Sequence, residues 1–324
     1  MSLSVITVTL SPAIDHTILA PKFAPGKVNR VAEGPTSAGG KGVNVAAFLA
    51  HLGVRVAATG FLGQDNAGPF EKLFRQKNIE DCFIRIPGTT RTGIKIVDEA
   101  RQETTDLSFP SPAPPSEAVD QFFQLMATLS RPGRWFVFSG SVPNGLGQNA
   151  YARLIKLVRA GGGHVALDTS GQALSLAVQC GPDFVKPNVA EMEELIGHPL
   201  KTRRDVTEAA LAVQRQGVAL VVVSMGERGS VWVDRQTSLW VQAPSVAAHN
   251  TSGAGDAMVS GIVYGRMQDW ALRECAVLSA ALATCVVAAR DRALDLTRVD
   301  AYRKEIAVKT MKLKQQQKRR IEGS

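Results

Sequence analysis

The sequence predicts an α/β fold, a mostly parallel sheet with helices on both faces and a small β excursion beside it. Three observations lead there. Short β-branched runs alternate with helix-like stretches along most of the chain, as strands joined by crossover helices require. A length of 324 residues with 45% hydrophobic content suffices to bury a large core. Two segments break the rhythm and read as excursions from that core.

Strands are expected at 5–10, 54–61, 135–139, 164–168, 183–185 and 220–224, each a short, largely apolar run. Between them, 43–52, 69–77, 117–129, 150–159, 190–196 and 205–216 read as helices. After about Gly226 the pattern changes. SVWVDRQTSLWVQAP reads as an antiparallel hairpin, and 257–267 and 272–289 read as two helices rich in small residues. Residues 17–35 are punctuated by Pro and Gly, and 85–109 contain the alternating runs TGIKIV and TTDLSF followed by SPAPP. Long loops in a compact domain are uncommon unless they do something, so both are read as one β flap, with ordinary surface loops as the alternative.

The formal net charge is +8, but 303–324 hold eight Lys and Arg against two Glu, so the preceding body carries only +2. The basic excess belongs to a C-terminal tail, read as solvated helix in preference to a nucleic-acid arm. Cys82, Cys180, Cys275 and Cys285 form no CxxC, and no His or Cys spacing matches a zinc site. Buried thiols in a reducing cytoplasm are expected. The start, MSLSVITVTL, lacks the basic region of a signal peptide. The longest apolar run, 276–289, is too short to span a bilayer.

Four stretches carry chemistry. In NTSGAGDAMVSG (250–261), Gly253, Ala254 and Gly255 precede a helix-like run beside Asp256. Exposed N–H groups at a helix start would cradle a phosphate, and Asp256 could take the proton of an attacking hydroxyl. A tight Gly turn with Asp256 as helix N-cap fits these residues equally. SAGGKGVN (37–44) opens a second helix with one cation, Lys41, and one amide, Asn44. It is not a Walker A, because position 35 is Pro, nor a dinucleotide fingerprint, because the third Gly position holds Val45. A plain helix start remains open there. In VKPNVAEMEEL, Asn188 and Glu191 form either a capping box or a pair that holds Mg²⁺ through waters. VVVSMGERGS ends a strand at Ser224, with Gly226 and Gly229 following, as either a ligand-lining strand end or a hairpin turn.

Taken together and in order, AGGKGVN (38–44), KPN followed by Glu191 (186–191), SMGERG (224–229) and GAGD (253–256) resemble the PfkB, or ribokinase-like, carbohydrate kinases. The resemblance runs from about Ser4 to Ala289. Further marks are TLSPAID (9–15), GKVNRV (26–31), GFLGQD (60–65), TRTGIKI (90–96), SGSVPNG (139–145) and LDTSG (167–171), and they point to the branch acting on sugar phosphates. The resemblance implies a doubly wound sheet with a small β lid, often used for dimerisation. The core would be 1–16, 36–84 and 110–302, the lid 17–35 and 85–109, and the tail 303–324. It implies ATP as cosubstrate, Mg²⁺, and a ketohexose phosphate acceptor, fructose 1-phosphate ahead of tagatose 6-phosphate or fructose 6-phosphate, with a neutral sugar behind these. It assigns Asp256 as base and Gly253, Ala254 and Gly255 as anion hole. Lys186, Asn188 and Glu191 would lie near ATP phosphates and Mg²⁺, and Ser224, Gly226 and Gly229 would line the nucleotide site. Asp15, Gly39, Gly40, Asn44 and Ser139 would hold the sugar. Lys41 and Arg91, with Lys27 and Arg30, would face its phosphate. A homodimer through the lid, a cytoplasmic location, and neither membrane nor nucleic-acid binding complete the expectation. The D-T-x-G-A-G-D form is varied at Asn250 and Ser252, and the region after Ala280, including VVAARDRALDL (286–296), lacks the Gly-Thr turn that accompanies a monovalent-cation site in some relatives.

Overall fold

A computed structural model describes residues 3–98, 100–101, 103–249, 251–289 and 294–311. Asn250, 290–293 and the expected basic tail beyond 311 lie outside the described residues.

In chain order, β1 (Val5–Thr9) leads into β2 (Ala13–Ala20), β3 (Ala32–Gly39) and α1 (Lys41–His51). Then come β4 (Val56–Gly63), α2 (Gly68–Lys77), β5 (Glu80–Asp81), β6 (Ile84–Ile86), β7 (Thr92–Asp98) and β8 (Glu103–Ser108). The middle of the chain holds α3 (Ser116–Leu129), β9 (Trp135–Ser139), α4 (Ala150–Ala160), β10 (His164–Asp168), α5 (Gly171–Val178), β11 (Phe184–Val185), α6 (Val189–Ile196) and α7 (Arg203–Gln214). It closes with β12 (Leu220–Ser224), β13 (Ser230–Asp234), β14 (Ser238–Gln242), α8 (Ala254–Met267), α9 (Leu272–Ala288), α10 (Leu296–Glu305) and β15 (Ala307–Thr310).

The main sheet runs β15-β14-β13-β12-β11-β10-β9-β1-β4-β5, with β6 also on β4. From β12 to β5 every pairing is parallel, and the hairpin strands and β15 add on antiparallel. Side chains alternate across each strand, so both faces need cover. Ile6, Val8, Phe136, Phe138 and Val165 face a core closed by α3 to α7. Val5, Trp135, Val137, Ala166 and Phe184 face the other core, closed by α1, α2, α8 and α9. Each fully buried Phe or Leu contributes about 1.5–3 kcal/mol. These two cores hold the strand ends still beneath the site.

The segments expected to form a lid make a separate four-stranded sheet in the order β3-β2-β7-β8, with β2 and β7 parallel and the outer pairs antiparallel. Its bounds differ from the expected 17–35 and 85–109. Strand β2 begins at Ala13 and β3 ends at Gly39, because β-branched Ile14, Thr17 and Ile18 keep one strand running from the buried core end into the lid. Strand β6 belongs to the main sheet, paired on β4. The proposed tail also starts later than 303. Arg303 and Lys304 close α10, and β15 pairs with β14, as Leu239↔Thr310 to Gln242↔Ala307. Val308 is buried against the core, which anchors this segment.

Candidate active site

Two helix starts meet at the carboxyl ends of β1, β9 and β10. Helix α8 begins at the N-cap Gly253, whose φ of 89° favours glycine, and helix α1 begins at Gly40. Neither start carries a side-chain cap. Ala254 N reaches Thr251 O at 3.5 Å, a weak contact, and among the described residues the other first-turn N–H groups and both dipoles face outward for an anion. The N-cap reading of Asp256 is corrected here. It lies in the first turn of α8, and its buried carboxylate Oδ2 accepts from Asn44 Nδ2 at 2.7 Å. That contact joins the first turns of α8 and α1.

Beneath them lies Asp168, at the end of β10. Its Oδ1 is 3.3 Å from Lys41 Nζ and 3.4 Å from Lys186 Nζ, so one buried carboxylate serves two lysines. Lys186 packs beside Gly255, where an added Cβ would lie 3.3 Å from Nζ. Burial alone would raise the Asp168 pKa, but the two ammonium groups outweigh it and hold the carboxyl below its ordinary range. Burial would likewise lower Lys41, but Asp168, Glu191 and Asp256 raise it instead. Asp256 goes the other way. Burial first and the Asp168 charge second push its pKa up to about 6, against the pull of Asn44, Lys41 and Lys186. Two carboxyl groups in one site are thus driven apart, one firmly ionised and one basic enough to accept a proton near neutral pH.

Asp168 was not singled out from sequence as a site residue, although LDTSG at a strand's carboxyl end was the available signal. Strand register aligns it with Ser139 on β9. Asp168 Oδ2, Ser139 Oγ and Thr9 Oγ1 are buried polar atoms without a protein partner, at the ends of adjacent strands.

At the carboxyl end of β12, Ser224, Gly226 and Gly229 line one cavity of about 780 Å³ with Ala254 and Gly255. Apolar side chains of Val246, Ala280, Ala283 and Val287 form much of its wall, which suits a flat ring. The loop from β12 is at the same time a hairpin turn into β13. Asn188 and Glu191 form a complete capping box, with Glu191 N donating to Asn188 Oδ1 and Asn188 N donating to Glu191 Oε2, both at 2.8 Å. Glu191 Oε1 remains turned toward Lys41 at 3.8 Å. Among the described residues no group of three or more His, Cys, Asp or Glu could hold a metal. The donor set, Glu191 Oε1 and the orphaned Asp168 Oδ2, fits Mg²⁺ carried mostly by water and phosphate.

Beside the four-stranded sheet, Arg91 donates from Nε to Ser11 Oγ at 3.1 Å, from Nη2 to Ser11 O and from Nη1 to Phe109 O, both at 3.3 Å. Burial lowers its pKa, and Asp15 pulls in the opposite direction. Arg91 lines a pocket of about 280 Å³ with Ser11, Ser111, Ser141 and Asn144. Asp15 lies against Gly39 on the neighbouring strand. The expected partnership of Lys41 with Arg91 differs from the contacts made. Lys41 pairs with Asp168 and Glu191, at the meeting of the helix starts, because its position opening α1 aims it across the strand ends. Lys27 and Arg30 are exposed in the β2–β3 connection, and among the described residues no hydrogen bond or ion pair ties them to the site. A further cavity of about 580 Å³, with Arg131, Arg134 and Arg266, opens at the opposite ends of β1, β9 and β10.

Known proteins resemble this chain in sequence and in fold. Residues 4–297 match the family described as pfkB family carbohydrate kinase. The chain is 44% identical over 282 residues to the 1-phosphofructokinase of Rhodobacter capsulatus, covering 87% of this chain and 89% of that protein. It is 43% identical over 290 residues to the 1-phosphofructokinase of Xanthomonas campestris, covering 88% and 91%. The solved structure of phosphofructokinase-2 from Escherichia coli, in complex with substrates and products, matches with a TM-score of 0.88 and 27% identity over 93% of this chain and 99% of that one.

Proposed function

From the premise that the chain belongs to the pfkB family of carbohydrate kinases, we propose that it transfers the γ-phosphoryl group of ATP to fructose 1-phosphate, forming fructose 1,6-bisphosphate. It is a phosphotransferase with an alcohol acceptor. The acceptor's 6-hydroxyl oxygen forms the new bond to phosphorus as the bond to the ADP oxygen breaks, and the hydroxyl proton passes to Asp256. The carrying observation is that carboxyl, buried at the start of α8 and pushed up to about 6 beside a helix terminus with no side-chain cap.

The remaining residues take roles around that proton transfer. Backbone N–H groups of Gly253, Ala254 and Gly255 receive the charge growing on the phosphoryl oxygens. Lys41 and Lys186, shared by Asp168, flank the same oxygens. Asn44 orients the base. Ser224, Gly226 and Gly229 border the nucleotide, and Asp15, Gly39, Gly40 and Ser139 border the sugar. Arg91 holds the phosphate the acceptor already carries, in the fork geometry a guanidinium allows. Mg²⁺, bound through Glu191 and Asp168, would neutralise charge on the phosphates. The test is a panel of fructose 1-phosphate, fructose 6-phosphate, tagatose 6-phosphate and fructose with ATP, read as ADP release and product identity. Preference for any other acceptor would replace this one.

The lid is proposed as the surface of a homodimer. All six residues of β8 are exposed, and Val28, Val31, Leu107 and Phe109 are exposed apolar residues in or beside the lid. Escherichia coli phosphofructokinase-2 has a tetrameric inhibited form. Sedimentation of the chain against a Leu107→Lys variant tests the surface, with dissociation expected. Among the described residues no helix is long and apolar enough to cross a membrane, and all four cysteines are free. The free thiols support a cytoplasmic location.

A further inference from the structure

Lys95 stands on β7 in the lid, two residues beyond Gly93 and on the same face of the strand. Its Nζ lies 2.8 Å from Asp15 Oδ2 and donates to Ser252 Oγ at 3.0 Å. Both members of the ion pair are largely withdrawn from water, Lys95 13% and Asp15 15% exposed. Glycine makes the slot for the carboxylate. A Cβ on Gly93 would lie 2.6 Å from Asp15 Oδ1, and one on Gly39 would lie 2.7 Å from its Cγ. Any side chain at 93 would therefore displace Asp15 from β7 and from Lys95.

We infer that Lys95 is a specificity-determining residue of the acceptor site, cancelling the charge of Asp15 so that a sugar already bearing a phosphate is accepted there. The inference rests on the sugar-phosphate reading above and names the residue that makes it possible. A carboxylate suits sugar hydroxyls, because it accepts their hydrogen bonds. Left bare, it also repels a phosphate dianion, and partial burial strengthens that repulsion. An ammonium in contact removes the conflict and leaves the accepting oxygens in place. Of its three donors, Asp15 and Ser252 take two, and among the described residues the third is left for the ligand. Ser252 immediately precedes Gly253, so the same ammonium joins the lid to the loop that opens α8.

Steady-state kinetics of the full chain test this, with Lys95→Met, Lys95→Arg and Ser252→Ala. Lys95→Met is expected to raise KM for fructose 1-phosphate about 10- to 100-fold, the range of one charge-assisted bond. KM for ATP should stay near the parental value, and the weak use of unphosphorylated fructose should be little changed. Lys95→Arg should recover most of the loss, since it keeps the charge. Ser252→Ala should keep the parental acceptor KM, since it leaves the Asp15 pair intact. Should Lys95→Met unfold, Lys95→Gln carries the same expectation. An acceptor KM unchanged in the neutral variants, or raised equally for fructose and for ATP, would overturn the inference and leave Lys95 as a brace of the lid. So would a Ser252→Ala variant that reproduces the Lys95→Met defect. A parent enzyme inactive on every sugar phosphate would instead overturn the underlying reading.

Discussion

Asn44 Nδ2 donates to Asp256 Oδ2 at 2.7 Å, binding the first turn of α1 to the first turn of α8 across 212 residues of sequence. The contact fixes the proposed base where both helix starts converge. Replacing Asp256 by Asn keeps an oxygen that can accept from Asn44, and removes a buried charge that Asp168 repels. Asp256→Asn is therefore expected to fold with an undiminished melting temperature. Its turnover should fall about 10²- to 10⁴-fold, the range for loss of general-base assistance. Near-parental turnover in the pure variant would remove Asp256 from that role.

The same contact makes a prediction about pH. Asp256 must be ionised to accept a proton, and its pKa lies at about 6, so kcat/KM should climb as pH rises through that value. Asn44 is one of the groups pulling the pKa down. Asn44→Ala should move the acidic limb of the pH–rate profile to higher pH, in addition to lowering the rate. For stability the sign is opposite to that of a salt-bridged carboxylate. The folded state holds this proton more tightly than the unfolded chain, so stability falls as pH rises from the ordinary carboxyl value of 3.8 towards 6. Asp256→Asn should flatten that part of the curve in denaturant titrations.

Asp168 supplies the contrasting case. Its folded pKa is depressed below 3.8, so its contribution is present above that value and is lost as pH falls through the folded pKa. Asp168→Asn strands Lys186, which is buried, and Lys41, which is 39% exposed and retains Glu191. Breaking a buried pair costs about 3–5 kcal/mol, and the low end applies because water screens Lys41. Urea melts at neutral pH should register that loss. The gap between parent and variant should narrow below about pH 4. Equal stabilities at neutral pH would show that neither lysine depends on this carboxylate.

Much of the framework was legible because it is local. The β-branched run at 5–10 and the strand at 135–139 need only their own composition to declare burial, and they are β1 and β9. The start of α8 was read three residues late, at 257, because Gly and Ala carry no helical pattern. Its first turn is set by packing on α1, which no window of sequence contains. The role of Asp168 was hidden for the same reason, since Lys41 reaches it from 127 residues away. Lys95 was equally silent, as its reach to Asp15 depends on β2 and β7 lying parallel with Asp15 opposite Gly93. Asn188 and Glu191 were read two ways, and the contacts realise the cap with one Glu191 oxygen while leaving the other toward Lys41.

That division of labour in Glu191 separates the cap from the proposed Mg²⁺ contact. Glu191→Gln keeps an amide oxygen able to accept from Asn188 N, so α6 should stay capped and the melting temperature should hold. The charge facing Lys41 is lost. The Mg²⁺ concentration for half-maximal activity should rise, with acceptor KM less affected. Superimposable Mg²⁺ titrations of variant and parent would leave Glu191 as a cap alone.

Arg91 tests how the acceptor's own phosphate is recognised. The body of the chain carries a net +2 up to residue 302, which attracts anions only weakly, so selectivity must come from placed cations. With Lys41 engaged by Asp168 and Glu191, Arg91 is left as the guanidinium lining the pocket of Ser11, Ser111, Ser141 and Asn144. Its present partners, Ser11 and Phe109 O, hold the fork flat against the root of the lid. A phosphate gripped by two charge-assisted bonds contributes about 1.5–3 kcal/mol for each, so kcat/KM for fructose 1-phosphate should exceed that for fructose roughly 10²- to 10⁴-fold. Arg91→Ala should shrink that ratio chiefly by lowering the rate with the phosphorylated sugar. Arg91→Lys should restore only part of it, because a point charge cannot reproduce the fork. A ratio untouched by Arg91→Ala would transfer phosphate recognition to other cations, with Lys95 the first to examine, since its ammonium already sits on Asp15.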